Sequence, residues 1–371
     1  MSKTSKIILS ILAIVLLVWV ISPSKSNKSN TFVIGATESL TGAAAYYGDS
    51  TKKGIDLAFA EAKIKYPSAS FEIYHEDNQF NPKVGVDAYQ KLRAEHNIQA
   101  IITHTSPASV ATAPLSIKDG ILQMGVSAAS EKYSTPNDLT FRTTIGSDAE
   151  TAVMSDYIKA NCGVSVKIFG MNNEIGVSEV NSMKKHLESK KVSLEFDEMF
   201  PVETIDFRSM IIKMKQKTSS NCLFMPALSA HISTFLKQAK ELNYTPKLLS
   251  FRTIDDPTLI MAAGPLAEGV IYTSAFDPDS TNTETKNFVE SYKKTYGSEP
   301  DTYGAEGYAG ANLVIDAFVK CGKDYDCMYK YLSTLKDTPS VFGNISLDSS
   351  GDASYQYFLK IVKDGKAEVL K

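Results

Sequence analysis

The chain has 371 residues, of which 43% are hydrophobic, and its 39 Lys and Arg against 42 Asp and Glu leave a formal net charge of -3. No basic excess is available to neutralise a phosphate backbone, which argues against a nucleic-acid partner. The composition is globular, and the length exceeds what one hydrophobic core ordinarily serves, so two lobes are expected.

The first 30 residues stand apart from the rest. Two lysines within residues 1–6 precede the apolar run IILSILAIVLLVWVIS at 7–22. Its length falls between a signal-peptide core and a membrane span of about 20 residues. VWVISPSKSN offers no clear small-x-small cleavage site, and no cysteine precedes Cys162, which excludes lipid attachment at a processed N-terminal cysteine. SPSKSNKSN at 22–30 reads as a polar tether. Export with an uncleaved membrane anchor is the expectation, with a cleaved signal peptide as the alternative. Either way the location is extracytoplasmic.

Beyond the tether, short apolar runs alternate with amphipathic segments. Strands are predicted at 31–35, 71–74, 100–103 and 121–125. Pro82 opens a helix in which Val84, Ala88 and Leu92 recur every four residues. The rhythm then repeats: strand 166–170, helix 177–189, strand 192–196, helix 207–215 and strand 222–225. A helix with Ile232, Phe235, Leu236, Ala239 and Leu242 on one stripe follows, then strands 247–249 and 270–272. Such alternation implies parallel sheets covered by helices on both faces, and two series imply two such lobes.

In open sheets of this kind the ligand crevice lies beyond the carboxyl ends of the strands. TESLTGAAAYYGD (37–49), ITHTSPAS (102–109) and VSAAS (126–130) all occupy that position in the first lobe. The five histidines form no His-Glu-x-x-His helix, and neither a Gly-x-Ser-x-Gly elbow nor a phosphate-binding Gly-Lys loop is present. His104 beside Ser106 has no third, orienting group in view, so the expectation is no enzyme, no catalytic residue, no cofactor and no metal. Gly304, Gly307 and Gly310 do not match a dinucleotide fingerprint and suit close helix packing instead.

Binding chemistry is better supported. The hydroxyls of ITHTSPAS precede a helix predicted to start near Val110, whose amino end favours an anion such as a carboxylate. Ser106 and Ser109 are open to a second reading as helix caps. One of Tyr46 and Tyr47 can wall the crevice. Arg252 follows a strand of the second lobe, where it either meets solvent or pairs with an anionic ligand group. Four cysteines allow three pairings, and their spacings do not suit zinc.

IGATESLTGAAAYYGDSTKKGIDLAFAEAK, HEDNQFNPKVGVDAYQKL, GILQMGVSAAS and SVFGNISLDSSGDASYQYFLKIVKDGK resemble the type I periplasmic solute-binding proteins of the leucine/isoleucine/valine-binding group, over nearly everything after residue 31. The resemblance implies an α/β fold of two doubly wound parallel-sheet lobes on a three-stranded hinge, preceded here by the N-terminal apolar helix. Lobe one would hold 31–147 plus 277–346, and lobe two 148–276 plus 347–371, after a tether at 1–30. Crossovers would fall near 145–149, 274–278 and 344–351. KCGKDYDCM looks like the paired cysteines of many relatives, which points to a Cys321–Cys327 disulfide.

In amino-acid-binding members the ligand carboxylate is held at the positions of Ser106 and of Ala128 to Ser130, with an aromatic ring at Tyr47. Ser130 replaces the commoner threonine conservatively. The second lobe departs from the pattern. Ile175 stands where a tyrosine is usual, and Leu228 where another aromatic is frequent. Arg252 stands where an acidic residue commonly accepts the ligand's ammonium. A cation there disfavours an ammonium, so a small carboxylate without a free amine, or a dicarboxylate, is expected against Tyr47, Ile175 and Leu228. The implied role is the solute-binding component of an ABC importer, acting as a monomer with a membrane permease as partner. A ligand sensor acting on a separate receptor chain is the alternative.

Overall fold

The computed structural model describes residues 31–217 and 219–370, so the expected anchor and tether lie outside the described residues. The chain opens with β1 (Thr31–Glu38), α1 (Ala45–Lys65), β2 (Ser70–Asp77), α2 (Pro82–His96), β3 (Ala100–His104), α3 (Ser106–Asp119), β4 (Leu122–Val126) and β5 (Thr140–Arg142). These strands form one parallel sheet in the order β2-β1-β3-β4-β5. The order reverses after β1, which leaves a crevice at the carboxyl ends.

The second series runs α4 (Ser147–Asn161), β6 (Ser165–Met171), α5 (Glu174–Ser189), β7 (Ser193–Phe200), α6 (Arg208–Lys215), β8 (Cys222–Phe224), α7 (Ser229–Glu241), β9 (Lys247–Ser250), α8 (Pro257–Ala263) and β10 (Ile271–Ser274). The chain then returns to the first lobe with α9 (Thr283–Tyr296), α10 (Thr302–Cys321) and α11 (Tyr325–Ser333). The small sheet β11 (Thr338–Ser340), β12 (Gly343–Leu347) and β13 (Ala353–Ser354) follows. It ends in β14 (Phe358–Lys363) and β15 (Lys366–Val369), which pair antiparallel onto β10 and complete a seven-stranded sheet.

Three connections therefore join the lobes, at 142–147, 274–283 and 354–358. The third corrects the expected crossover at 344–351, and with it the boundary at 346/347. Residues 343–347 are a strand that turns back at Gly351 to pair with 353–354, and so stay with the first lobe.

Both predicted series are present, with shifts of a few residues at strand ends. In the first lobe Phe32, Ile34 and Ala36 of β1 meet Ile55 and Phe59 of α1 and Val314 and Phe318 of α10 on one face. On the other face Ile101 meets Tyr89 and Leu92 of α2. In the second lobe Met154, Ile158, Met183 and Leu187 cover one face and Ile211, Ile232, Phe235 and Leu259 the other. Two disulfides are formed. Cys321–Cys327 closes a short loop, and Cys162–Cys222, left open by the sequence, ties the end of α4 to the start of β8.

The glycines of α10 serve helix packing, as their spacing suggested. A Cβ on Gly307 would lie 2.3 Å from the Thr51 carbonyl oxygen, and one on Gly54 would lie 2.0 Å from that of Gly304. The two helices touch backbone to backbone, and backbone atoms cannot swing aside. Gly307→Ala is expected to destabilise the protein by about 1–3 kcal/mol, the usual cost of overpacking, read from the urea midpoint. An unchanged midpoint would mean that the two helices have room to part.

Candidate functional site

The ends of the first-lobe strands are laced together by one side chain. Asn78, wholly buried just past β2, donates from Nδ2 to the carbonyls of Thr37 (3.1 Å) and His104 (3.0 Å). Its Oδ1 accepts from Ser39 Oγ (2.6 Å) and from the Phe80 amide (2.9 Å). The loops after β1, β2 and β3 are thereby held in one geometry. At the end of β3 the helix begins sooner than predicted. Ser106, not Val110, is its first residue, and Thr105 precedes it with no side-chain cap. The cap reading of Ser109 is thus displaced, because its hydroxyl bonds Thr103 Oγ1 at 2.8 Å instead.

Between the lobes lies a narrow cavity of about 20 Å³, lined by Tyr47, Phe80, His104, Thr105, Ser106, Ser127, Ile175, Leu228, Arg252, Thr253 and Tyr303. Five of the expected ligand residues therefore converge from five separate segments: Tyr47, Ser106, Ile175, Leu228 and Arg252. Tyr46 is instead more exposed, in keeping with an ordinary surface tyrosine. The volume admits one water molecule, so a larger guest requires the lobes to part. They are held together across the cleft by the Ser229 amide donating to Tyr47 Oη (2.9 Å) and Ser130 Oγ donating to Glu174 (3.0 Å). The Glu131 amide adds a bond to Ser178 Oγ (3.2 Å).

Three lining residues, Phe80, Thr105 and Ser127, have left-handed φ of +57°, +76° and +55°. Each non-glycine residue so held costs about 1–3 kcal/mol, and such residues gather where a site is built rather than where a core is packed.

Four lining residues also carry a buried polar atom with no hydrogen-bond partner: His104 Nε2, Thr105 Oγ1, Arg252 Nε and Tyr303 Oη. Leaving such a group unsatisfied costs about 1–3 kcal/mol, so four at one place is a site signature. The His104 ring accepts from the Ser39 amide at Nδ1 (3.4 Å), which puts its proton on Nε2, an atom with no hydrogen-bond partner. Burial, with the nearby Arg252 charge adding to it, pulls the His104 pKa down to about 3, so the ring is neutral at pH 7.

Arg252 does more than line the cavity. Its guanidinium pairs with buried Glu150, whose Oε1 also accepts from the Arg252 amide (3.0 Å) and from Thr273 Oγ1 (2.5 Å). Glu306 of the first lobe stands 3.8 Å from Nε, and the Tyr357 hydroxyl 3.4 Å from Nη1. Burial works against the Arg252 charge, and Glu150, Tyr357, Glu306 and Glu179 together more than offset it. Burial raises the Glu306 carboxyl, which Arg252 partly opposes. Glu179 is held well above the ordinary carboxylate range by burial and by neighbouring Glu150. No Asp or Glu lines the cavity among the described residues. Asp255 is engaged by Lys360, Tyr272 and Ser274, and Asp256 caps α8.

Ala128 and Ser130 lie outside the cavity lining. The Ala128 carbonyl accepts from Arg142 (3.1 Å), and the Ser130 amide donates to Ser106 Oγ (3.1 Å). Ser127 lines the cavity in their place because the left-handed turn there redirects the chain at once. The acceptor nitrogen of His104, Nδ1, is taken by the Ser39 amide, which leaves no ring nitrogen to take a proton from Ser106.

Comparisons with known proteins agree with this architecture. Residues 31–366 match the family model described as periplasmic binding protein. The Leu/Ile/Val-binding protein homolog 2 of Brucella abortus (strain 2308) is 26% identical over 330 residues, 87% of each chain. LivJ of Streptococcus pneumoniae, a branched-chain amino acid transporter substrate binding protein solved with isoleucine, superposes with a TM-score of 0.83 at 22% identity, covering 92% of this chain and 99% of that one. An ABC transporter solute binding protein from R. palustris, solved with 4-hydroxybenzoate, gives 0.82 at 20% identity, with 92% and 95% covered. These relatives are solute-binding proteins and not enzymes.

Proposed function

We infer that this chain, which belongs to the periplasmic binding protein family, is the extracytoplasmic solute-binding component of an ABC-type importer and that its cleft takes a small carboxylate without a free amine. The observation that carries this reading is that four residues lining one cavity, which has no lining carboxylate, each carry a buried polar atom without a hydrogen-bond partner. Two of them, Arg252 Nε and His104 Nε2, only donate, and Arg252 is a cation besides. They suit a carboxylate and offer an ammonium no acceptor. Ser106, at the amino end of α3, adds the favourable end of a helix dipole. Tyr47, Ile175 and Leu228 then face the ligand's apolar body.

No bond is made or broken. Opening breaks the contacts from Ser229 to Tyr47 and from Ser130 to Glu174, and a ligand that touches both lobes favours closure by its differential affinity. The closed form docks on a permease, near which residues 7–22 would hold the protein at the membrane.

The test is thermal unfolding of the full chain against matched pairs such as leucine and 4-methyl-2-oxopentanoate, with benzoate and 4-hydroxybenzoate as aromatic members. A ligand at a hundred times its Kd adds about 2.7 kcal/mol. Stabilisation by the amine-free acids alone is the expected result. Stabilisation by the amino acids alone would overturn the reading and demand an acceptor for the ammonium.

A further inference from the structure

A second, larger cavity of about 540 Å³ lies outside the first, at the mouth of the cleft. Its walls are more apolar than polar: Ala43, Pro82, Pro107, Val110 and Ala111 from one lobe and Val202 from the other stand beside Gln79 and Asn81 of the first and Asn173, Glu174 and Glu203 of the second. Among the described residues only Phe80 lines both cavities. Its ring is half-buried and packs against the apolar cluster that spans the cleft, with Tyr47 and Tyr303 from the first lobe and Ile175 and Leu228 from the second.

The backbone beneath that ring is arranged to hold it there. Gln79 and Phe80 both have left-handed φ, +52° and +57°. A bulky side chain in that conformation is an outlier, maintained only where its surroundings dictate it. Here the Phe80 amide donates to Asn78 Oδ1, and Asn78 is itself fixed by Thr37, His104 and Ser39. On the other side Asn81 caps α2 by accepting from the amides of Lys83 and Val84. The backbone that carries the phenyl is thus fixed from both sides, at a residue that lines both cavities. Helix capping alone would need nothing larger than a glycine or an asparagine at position 80.

We propose that Phe80 is a partition that sets how long a ligand the cleft accepts, closing the inner cavity off from the apolar groove beyond it. This rests on the carboxylate reading above: a carboxylate held at the inner donors directs its tail outward, towards Phe80. A short or compact tail ends at the ring, and a longer one meets it.

The experiment compares the full-length wild type with Phe80→Ala, by calorimetric titration with straight-chain monocarboxylates from propionate to decanoate. Phe80→Asn serves as a second variant, since asparagine accepts the left-handed conformation and keeps the loop. In the wild type binding is expected to fall away beyond a limiting chain length. In both variants that limit moves outward, with a gain of about tenfold or more for acids past the wild-type limit relative to the shortest ones. The same limit in all three proteins would overturn the partition. If the wild type binds none of the acids, the carboxylate reading has failed; the same proteins are then titrated with α-amino acids of growing side chain, and an unchanged limit there overturns the partition as well.

Discussion

Arg252→Met is expected to lower the unfolding free energy by about 3–5 kcal/mol, the usual cost of removing one partner from a buried ion pair. Arg252 and Glu150 are 2% and 1% exposed, so neither charge is solvated by water. Without the guanidinium, Glu150 keeps only neutral donors, the Arg252 amide and Thr273 Oγ1, close to two more buried acids. The penalty is chiefly that of a stranded carboxylate. The double variant Arg252→Met with Glu150→Met should therefore be more stable than the single one, because both charges leave together. Urea unfolding of wild type, single and double variants checks this. A single variant within about 1 kcal/mol of wild type, the range of exposed ion pairs, would show that the cluster is solvated.

Removing the Cys162–Cys222 disulfide by Cys162→Ser with Cys222→Ser should cost about 4 kcal/mol, whereas losing Cys321–Cys327 should cost about 2 kcal/mol. The difference follows from the loops they close, with sequence separations of 60 and 6 residues. A longer loop leaves more freedom to the unfolded chain when the crosslink is cut. The longer disulfide also joins a helix end to an interior strand of the seven-stranded sheet, so its loss acts on the middle of a lobe. Urea unfolding of the two paired variants decides the order. A larger loss at Cys321–Cys327 would refute it.

Most of the strands were legible because buried parallel strands are short continuous apolar runs, as 100–103 and 166–170 are. Parts of the site were legible for a similar reason, since strand ends mark where a crevice must lie. Ser106, Tyr47 and Arg252 all follow or face such ends. What escaped was set by geometry that local pattern does not carry. Glu150 reads as an ordinary acid in the first turn of α4, yet it meets Arg252 across 102 residues. Tyr303 lies in a glycine-spaced helix whose spacing speaks of packing, and its hydroxyl at the cavity leaves no trace in that rhythm. Nothing in VSAAS shows that Ser127, which lines the cavity, turns left-handed. Phe80 lies in HEDNQFNPKVGVDAYQKL with no sign there that it lines two cavities.

The backbone contact between α1 and α10 has a consequence for biosynthesis. The first lobe is made from two stretches of chain, and α10, whose Val314 and Phe318 cover the apolar face of β1, is translated only after the whole second series. Until residue 321 has emerged, Phe32, Ile34 and Ala36 lack that half of their cover. The second series, continuous from 147 to 274, has most of its core in hand much earlier. Nascent chains ordinarily complete their amino-terminal domain first. Here neither lobe is finished by its first stretch of chain: the lobe that begins the chain waits, open-faced, for α10, and the second gains β14 and β15 only from residues 358–369.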